Sequence, residues 1–154
     1  RLYPFAARRH SATSSQFSRT CSLYFGNIPE VIDHAESKGW DLDFYMTSVY
    51  NLGRTREEGR RLAGKEIQGE YFRDADRELM LQKVRRASKQ CLIFKVYGAS
   101  RHCASREQML AALRLAFRFA KRSDCVVLGM FPKYKEQVRE NCELVAECLR
   151  AANG

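Results

Sequence analysis

No run of this chain approaches the roughly 18 consecutive apolar residues that a membrane span requires, so the sequence offers no transmembrane segment. Acid is missing from the start: no Asp or Glu precedes Glu30, whereas Arg1, Arg8, Arg9 and Arg19 do. Those four arginines supply a large part of the formal charge of +9, and the remaining basic residues are mixed with acids, as in Arg73-Asp-Ala-Asp-Arg77. Such mixing marks solvated faces and argues against a nucleic-acid partner, even with Arg54, Arg56, Arg60 and Arg61 close together, because no aromatic platform or recognition motif accompanies them. Histidine is scarce, at three residues, and there is no Gly-x-Ser-x-Gly elbow, no P-loop and no Gly-x-Gly-x-x-Gly turn. These absences leave nucleophilic catalysis and Rossmann-type dinucleotide binding without support, and no catalytic residue is assigned.

The six cysteines lack paired short spacing, and Cys91, Cys125, Cys142 and Cys148 fall where strands and helices are expected. Scattered thiols of this kind suit a reducing compartment, which points to a cytoplasmic protein. His102-Cys103 has no second pair to complete a metal site, so none is expected.

What is present is a repeated grammar. An apolar run, Cys91-Leu-Ile-Phe-Lys-Val-Tyr97, leads into the basic loop Gly98-Ala-Ser-Arg-His102 and then an amphipathic stretch over 105–121. A second apolar run, Asp124-Cys-Val-Val-Leu-Gly129, leads through Met130-Phe-Pro-Lys-Tyr-Lys135 into another helical stretch over 136–150. Upstream, 21–25 and 41–48 read as two further strands. Pro29 and Glu30 open a helix between them, and 74–88 is a helix whose apolar positions are Leu79, Leu81, Val84 and Ala87. The connection 49–73 is long and glycine-containing, the kind of segment that serves as a functional loop or lid.

The sequence therefore predicts an α/β fold of parallel β/α units. A complete (β/α)8 barrel has about 250 residues, so four units form about half of a TIM-type barrel. In this reading 1–20 is a basic start without ordered structure and 21–154 is the half-barrel. Its exposed edges predict self-association or pairing with a missing barrel half.

Candidate ligand residues sit after the strands. Gly98 and Gly129 let backbone amides approach a phosphate, while Arg101 and Lys133 add charge. Gln137 and Asn141 share a face of the last helix and suit an adenine edge. The plainer alternative is that the glycines end strands and the amides are surface groups. Lys95, inside an apolar run, needs either an anion or a route to solvent along its own stem. Tyr45, Tyr50 and Asn51, around the end of the second strand, are candidate substrate contacts, with packing as the alternative.

Phe94-Lys-Val-Tyr-Gly-Ala-Ser-Arg101, Asp124-Cys-Val-Val-Leu-Gly-Met130 and Gln137-Val-Arg-Glu-Asn141 together resemble the C-terminal end of aldo/keto reductase-like TIM barrels. The resemblance covers 91–148, is weaker over 27–52 and is absent over 1–20. It implies an oxidoreductase parent that moves a hydride between NADP and a carbonyl compound. It also implies that Lys95, Gly98, Arg101, Gly129, Lys133, Gln137 and Asn141 belong to the nucleotide-binding end. The family's catalytic Asp, Tyr, Lys and His lie on earlier strands, so the resemblance implies a fragment inactive by itself. Lys95, on a late strand, does not take the catalytic lysine's role. Phe131 to Tyr134 lengthen the second loop by about two residues against the family pattern. The alternative expectation is a non-enzymatic half-barrel that binds phosphate-containing ligands or self-associates.

Overall fold

The computed structural model describes residues 23–152, so the basic start at 1–20 and the opening of the first expected strand lie outside the described residues. Four parallel strands, β1 (Leu23–Gly26), β2 (Phe44–Ser48), β3 (Gln90–Phe94) and β4 (Cys125–Val126), hydrogen-bond in the order in which they occur in the chain. Helix α1 (Pro29–Ser37) joins the first two strands, and α2 (Arg56–Ala63) and α3 (Ala75–Arg86) lie between β2 and β3. Helix α4 (Arg106–Phe119) follows β3, and α5 (Gln137–Ala152) follows β4. The fold is an open, parallel α/β sheet. No helix among the described residues is long and apolar enough to cross a membrane.

Among the described residues, one face of the sheet is covered more fully than the other. Helix α1 packs on α3, α3 on α4 and α4 on α5, forming a single layer. Strand geometry sends alternate side chains to opposite faces. Tyr45 and Thr47 of β2, with Cys91 and Ile93 of β3, are buried, while Phe44, Met46 and Leu92 are only half-buried. The register pairs Tyr45 with Cys91 and Thr47 with Ile93, so these four share the helix side; Ser48 and Phe94, paired at the strand ends on the other face, are buried as well. A doubly wound sheet carries helices on both faces; among the described residues α1, α3, α4 and α5 form one layer.

Local chemistry sets the element ends. Pro29 occupies the first turn of α1, where its missing N–H has no intrahelical partner to lose, and Gly39, at φ 59°, follows its end. Ser105 caps α4 by accepting from the Gln108 amide. Met109, Leu110, Ala112, Leu113 and Ala116 form the buried stripe of α4, which agrees with the spacing in the sequence; Phe117 and Ala120 are half-buried at its edge. In α3 the expectation fails at one place: Leu79 faces solvent and Met80 is buried. Asp124 ties β4 to β3, its buried carboxylate accepting from the Cys91 amide at 2.8 Å and from the Lys121 amide at 2.8 Å.

The connection 49–73 is not featureless. Thr55 accepts from the Glu58 amide, and Glu58 accepts in return from the Thr55 amide, a reciprocal cap that starts α2. The expected strands are also longer than those observed. The second begins at Phe44, β3 stops at Phe94 because Lys95 turns left-handed at φ 59°, and β4 pairs over two residues only.

Five thiols among the described residues are free. Burial pushes the Cys91 thiol up to about 11, against the opposing pull of the Lys121 ammonium. Burial likewise raises Cys148. Since the thiolate is the reactive form, iodoacetamide at pH 8 is expected to modify the exposed Cys125 and Cys142 well before Cys91 and Cys148. Peptide mapping by mass spectrometry reads the order, and equal rates at Cys91 and Cys142 would show that the β3 core opens freely.

Candidate ligand site at the ends of β3 and β4

The chain leaves β3 through a tight turn in which the Gly98 amide donates to the Lys95 carbonyl at 2.8 Å. Gly98, Ala99 and Ser100 then follow one another with φ of 61°, 51° and 71°. A left-handed conformation is uncommon for residues with a Cβ and costs on the order of 1–3 kcal/mol each. At Gly98 a side chain is excluded twice over, because a Cβ would also lie 2.7 Å from the Tyr50 hydroxyl oxygen. The strained turn is held by bonds from the residues that follow it. The Arg101 guanidinium donates to the Gly98 carbonyl at 3.0 Å, the His102 amide to Tyr97 at 3.1 Å, and the Cys103 amide to Ser100 at 3.0 Å. Among the described residues no acceptor takes the amides of Ala99 and Ser100.

Beside this turn lies a cavity of about 600 Å³, bounded on the far side by the segment after β4 and the start of α5. Its walls are largely apolar, with Met46, Phe94, Met109, Leu128 and Phe131 contributing. Lys95, Ser100, Lys135, Gln137 and Asn141 supply polar groups. A mostly apolar pocket with a few convergent polar groups is the usual form of a small-molecule site.

Four of the residues singled out from the sequence, Lys95, Gly129, Gln137 and Asn141, line this one cavity, and Gly98 lies between two residues that do. Their side chains are differently engaged. Asn141 is buried, accepts from the Tyr97 hydroxyl at 2.7 Å and donates to the Gln137 carbonyl at 2.8 Å, so it pins α5 to the strained turn. Burial raises the Tyr97 phenol and keeps it a donor. Gln137 accepts from the Phe131 amide at 2.6 Å, which closes the segment after β4 onto the helix. Lys95 donates to both carboxylate oxygens of Glu70, at 2.8 and 2.9 Å. Lys135 pairs with Glu140 at 2.7 Å.

Arg101 and Lys133 stand outside the lining. The Arg101 guanidinium lies 4.0 Å from the centre of the Phe72 ring, and the exposed Lys133 lies 5.2 Å from that of Tyr134. The three substrate candidates do not converge on the cavity either. Tyr45 faces the helix layer and donates to Glu36 at 3.0 Å. Asn51 accepts from the Gly53 amide at 3.3 Å, by a small second pocket of about 50 Å³. Tyr50 is fully buried, with its hydroxyl 2.9 Å from Nε2 of His102, which also lies 3.1 Å from Asp74 and 3.4 Å from Arg77. Burial pushes the Tyr50 phenol up to about 12. This Tyr50, His102 and Asp74 cluster joins the end of β2, the start of α3 and the loop after β3.

Sequence reasoning missed Ser100, Lys135 and the Tyr97–Asn141 bond. Lys135 and Ser100 had a signal, since both stand in the loops already singled out. The pairing of Tyr97 with a residue 44 positions away had none. Among the described residues no three His, Cys, Asp or Glu side chains come together as a metal site. No family model, curated protein or solved structure matches this chain.

Proposed function

We propose that this chain forms the C-terminal half of an aldo/keto reductase-like barrel and that the cavity at β3 and β4 receives the phosphate-bearing end of a nucleotide cofactor, NADP, in hydride transfer to a carbonyl compound. The observation that carries this reading is the left-handed turn whose Ala99 and Ser100 amides lack acceptors, beside a lysine at the mouth of a largely apolar cavity. Consecutive amides in such a turn form a concave anion site. In parallel barrels ligands are held at the C-terminal ends of strands, and a wall of consecutive parallel strands with helices on one side suits that architecture. Lys95 and Gly129 then face phosphate, Gln137 has its amide NH2 left for a base, and Asn141 acts by fixing Tyr97; Gly98, whose own amide is spent on the Lys95 carbonyl, serves the turn instead. Arg101 and Lys133 attract the anion from the rim. The turn and cavity support a phosphate-bearing ligand and go no further; the redox chemistry comes from the resemblance alone.

Calorimetric titration with 2′,5′-ADP tests the site. The chain is expected to bind, and Lys95→Met to weaken binding roughly tenfold, the effect of one charge-assisted contact of about 1.5 kcal/mol. A folded chain with no affinity, or equal affinity in the variant, sinks the nucleotide reading.

One observation favours a second reading, a half-barrel that associates with a second copy of itself. The less covered sheet face carries half-buried Phe44, Met46 and Leu92, and Phe131 and Tyr134 are exposed nearby at 65% and 80%. Eight strands make a barrel whose interior side chains just fill it, and two four-stranded walls supply that number. Sedimentation is expected to show a concentration-dependent dimer, and a compact monomer at millimolar concentration would remove this reading.

A further inference from the structure

We propose that Glu70 is an internal counter-anion for Lys95, which the phosphate of an incoming ligand displaces, thereby loosening the strap from Gly69 to Phe72. The inference rests on the phosphate reading of the cavity and concerns how that site is regulated. Lys95 is one of two lysines in the cavity wall, and both oxygens of the Glu70 carboxylate, which itself belongs to the small second pocket, occupy its ammonium. The other lysine of the wall, Lys135, has a partner on its own side of the cavity, Glu140 at the start of α5. Glu70 by contrast comes from the long connection before α3, so its bond bridges two loops that are otherwise separate in sequence.

The strap is built to exchange. Glu70 has a side chain 53% exposed and Lys95 one 26% exposed, and ion pairs this wet contribute little. A phosphate brings more charge and three strong acceptor oxygens, and the neighbouring Ala99 and Ser100 amides can bind those as well. Two residues on from Glu70, the Phe72 ring is held on several sides. That ring packs edge-on against Tyr50 at 5.0 Å between centroids, with Arg101 at 4.0 Å and Lys95 at 5.4 Å from its centre. Phe72 is therefore the fixed end, and Gly69, at φ 81°, is the pivot at the other. In the empty site Glu70 holds the lysine ready and keeps stray anions out.

The test titrates inorganic phosphate and 2′,5′-ADP, at constant ionic strength, into the wild-type chain, Glu70→Gln and Lys95→Met. Glu70→Gln is expected to bind both about two- to fivefold more tightly, the range that corresponds to an exposed ion pair. Chymotryptic cleavage after Tyr71, followed by mass spectrometry, is expected to quicken when phosphate is added to wild type and to be fast with or without phosphate in Glu70→Gln. Wild-type binding with Glu70→Gln equal or weaker, or cleavage unmoved by bound phosphate, overturns the displacement while leaving the phosphate site standing. Absence of binding by all three folded proteins overturns the phosphate site and the displacement with it.

Discussion

Asp76→Ala is expected to destabilise the chain by about 3–5 kcal/mol, the loss seen when one partner of a buried ion pair is removed and the other stays behind. Asp76 lies in the first turn of α3 with a side chain 2% exposed, and Arg54 reaches it from the connection with both terminal nitrogens, at 2.5 and 2.6 Å. Arg73 adds a second cation at 3.9 Å. Without the carboxylate the Arg54 guanidinium, 13% exposed, cannot shed its charge and has lost both its acceptors there. Thermal unfolding followed by circular dichroism should show a midpoint roughly 10 °C lower or more. Replacing both residues, Arg54→Met with Asp76→Leu, should recover much of the loss, because the pair's attraction is largely offset by its desolvation. A loss below about 1 kcal/mol for Asp76→Ala would mean that the pair is solvated and that the connection is not anchored at its foot. That anchor matters for the strap: with Arg54 and Asp76 fixed, movement released at Glu70 is expected to stay within the loop they close and not to enter α3.

How much of this was legible in the sequence depends on the range over which each feature is determined. The stripe of α4 is local, three and four residue steps along one segment, and it was readable. The α/β class and the parallel units were readable for the same reason. Helix α2 was not, because Arg56-Glu-Glu-Gly-Arg-Arg-Leu-Ala63 has almost nothing apolar for a periodicity to act on. Its signal was the cap, Thr55 three residues before Glu58. The overlong reading of β3 has a different cause. Val96 and Tyr97 continue the apolar run because the turn after Lys95 is itself buried, and composition does not separate a buried turn from a buried strand. Of the site, Lys95, Gly129, Gln137 and Asn141 come together because each follows a strand in a parallel sheet, which topology alone ensures. Tyr45 and Tyr50 were grouped by closeness in sequence, yet Tyr45 falls on the helix side by the two-residue alternation, and Tyr50 is satisfied by His102, 52 positions away.

Leu144→Ala should cost about 2–5 kcal/mol, the usual range for truncating a fully buried leucine, and its effect should reach the cavity. Helix α5 docks through Asn141, Leu144 and Cys148, spaced three and four apart on one face, and Leu144 is 0% exposed. The helix packs chiefly on α4, so Leu144 carries much of its docking energy. The same helix brings Gln137 and Asn141 to the cavity, so loosening it should weaken the Tyr97–Asn141 bond and any affinity for 2′,5′-ADP together. Leu149→Ala, at a position 47% exposed on the same helix, is the control and should stay within about 0.5 kcal/mol of wild type. Native-state amide exchange separates two forms of the result. Protection lost in α5 alone would make the helix a locally opening wall of the cavity, whereas an equal loss in β3 and α4 would make it part of one cooperative unit. Equal stability of the two leucine variants would contradict the docking itself, and with it the assignment of Gln137 and Asn141 to a shared site with Lys95.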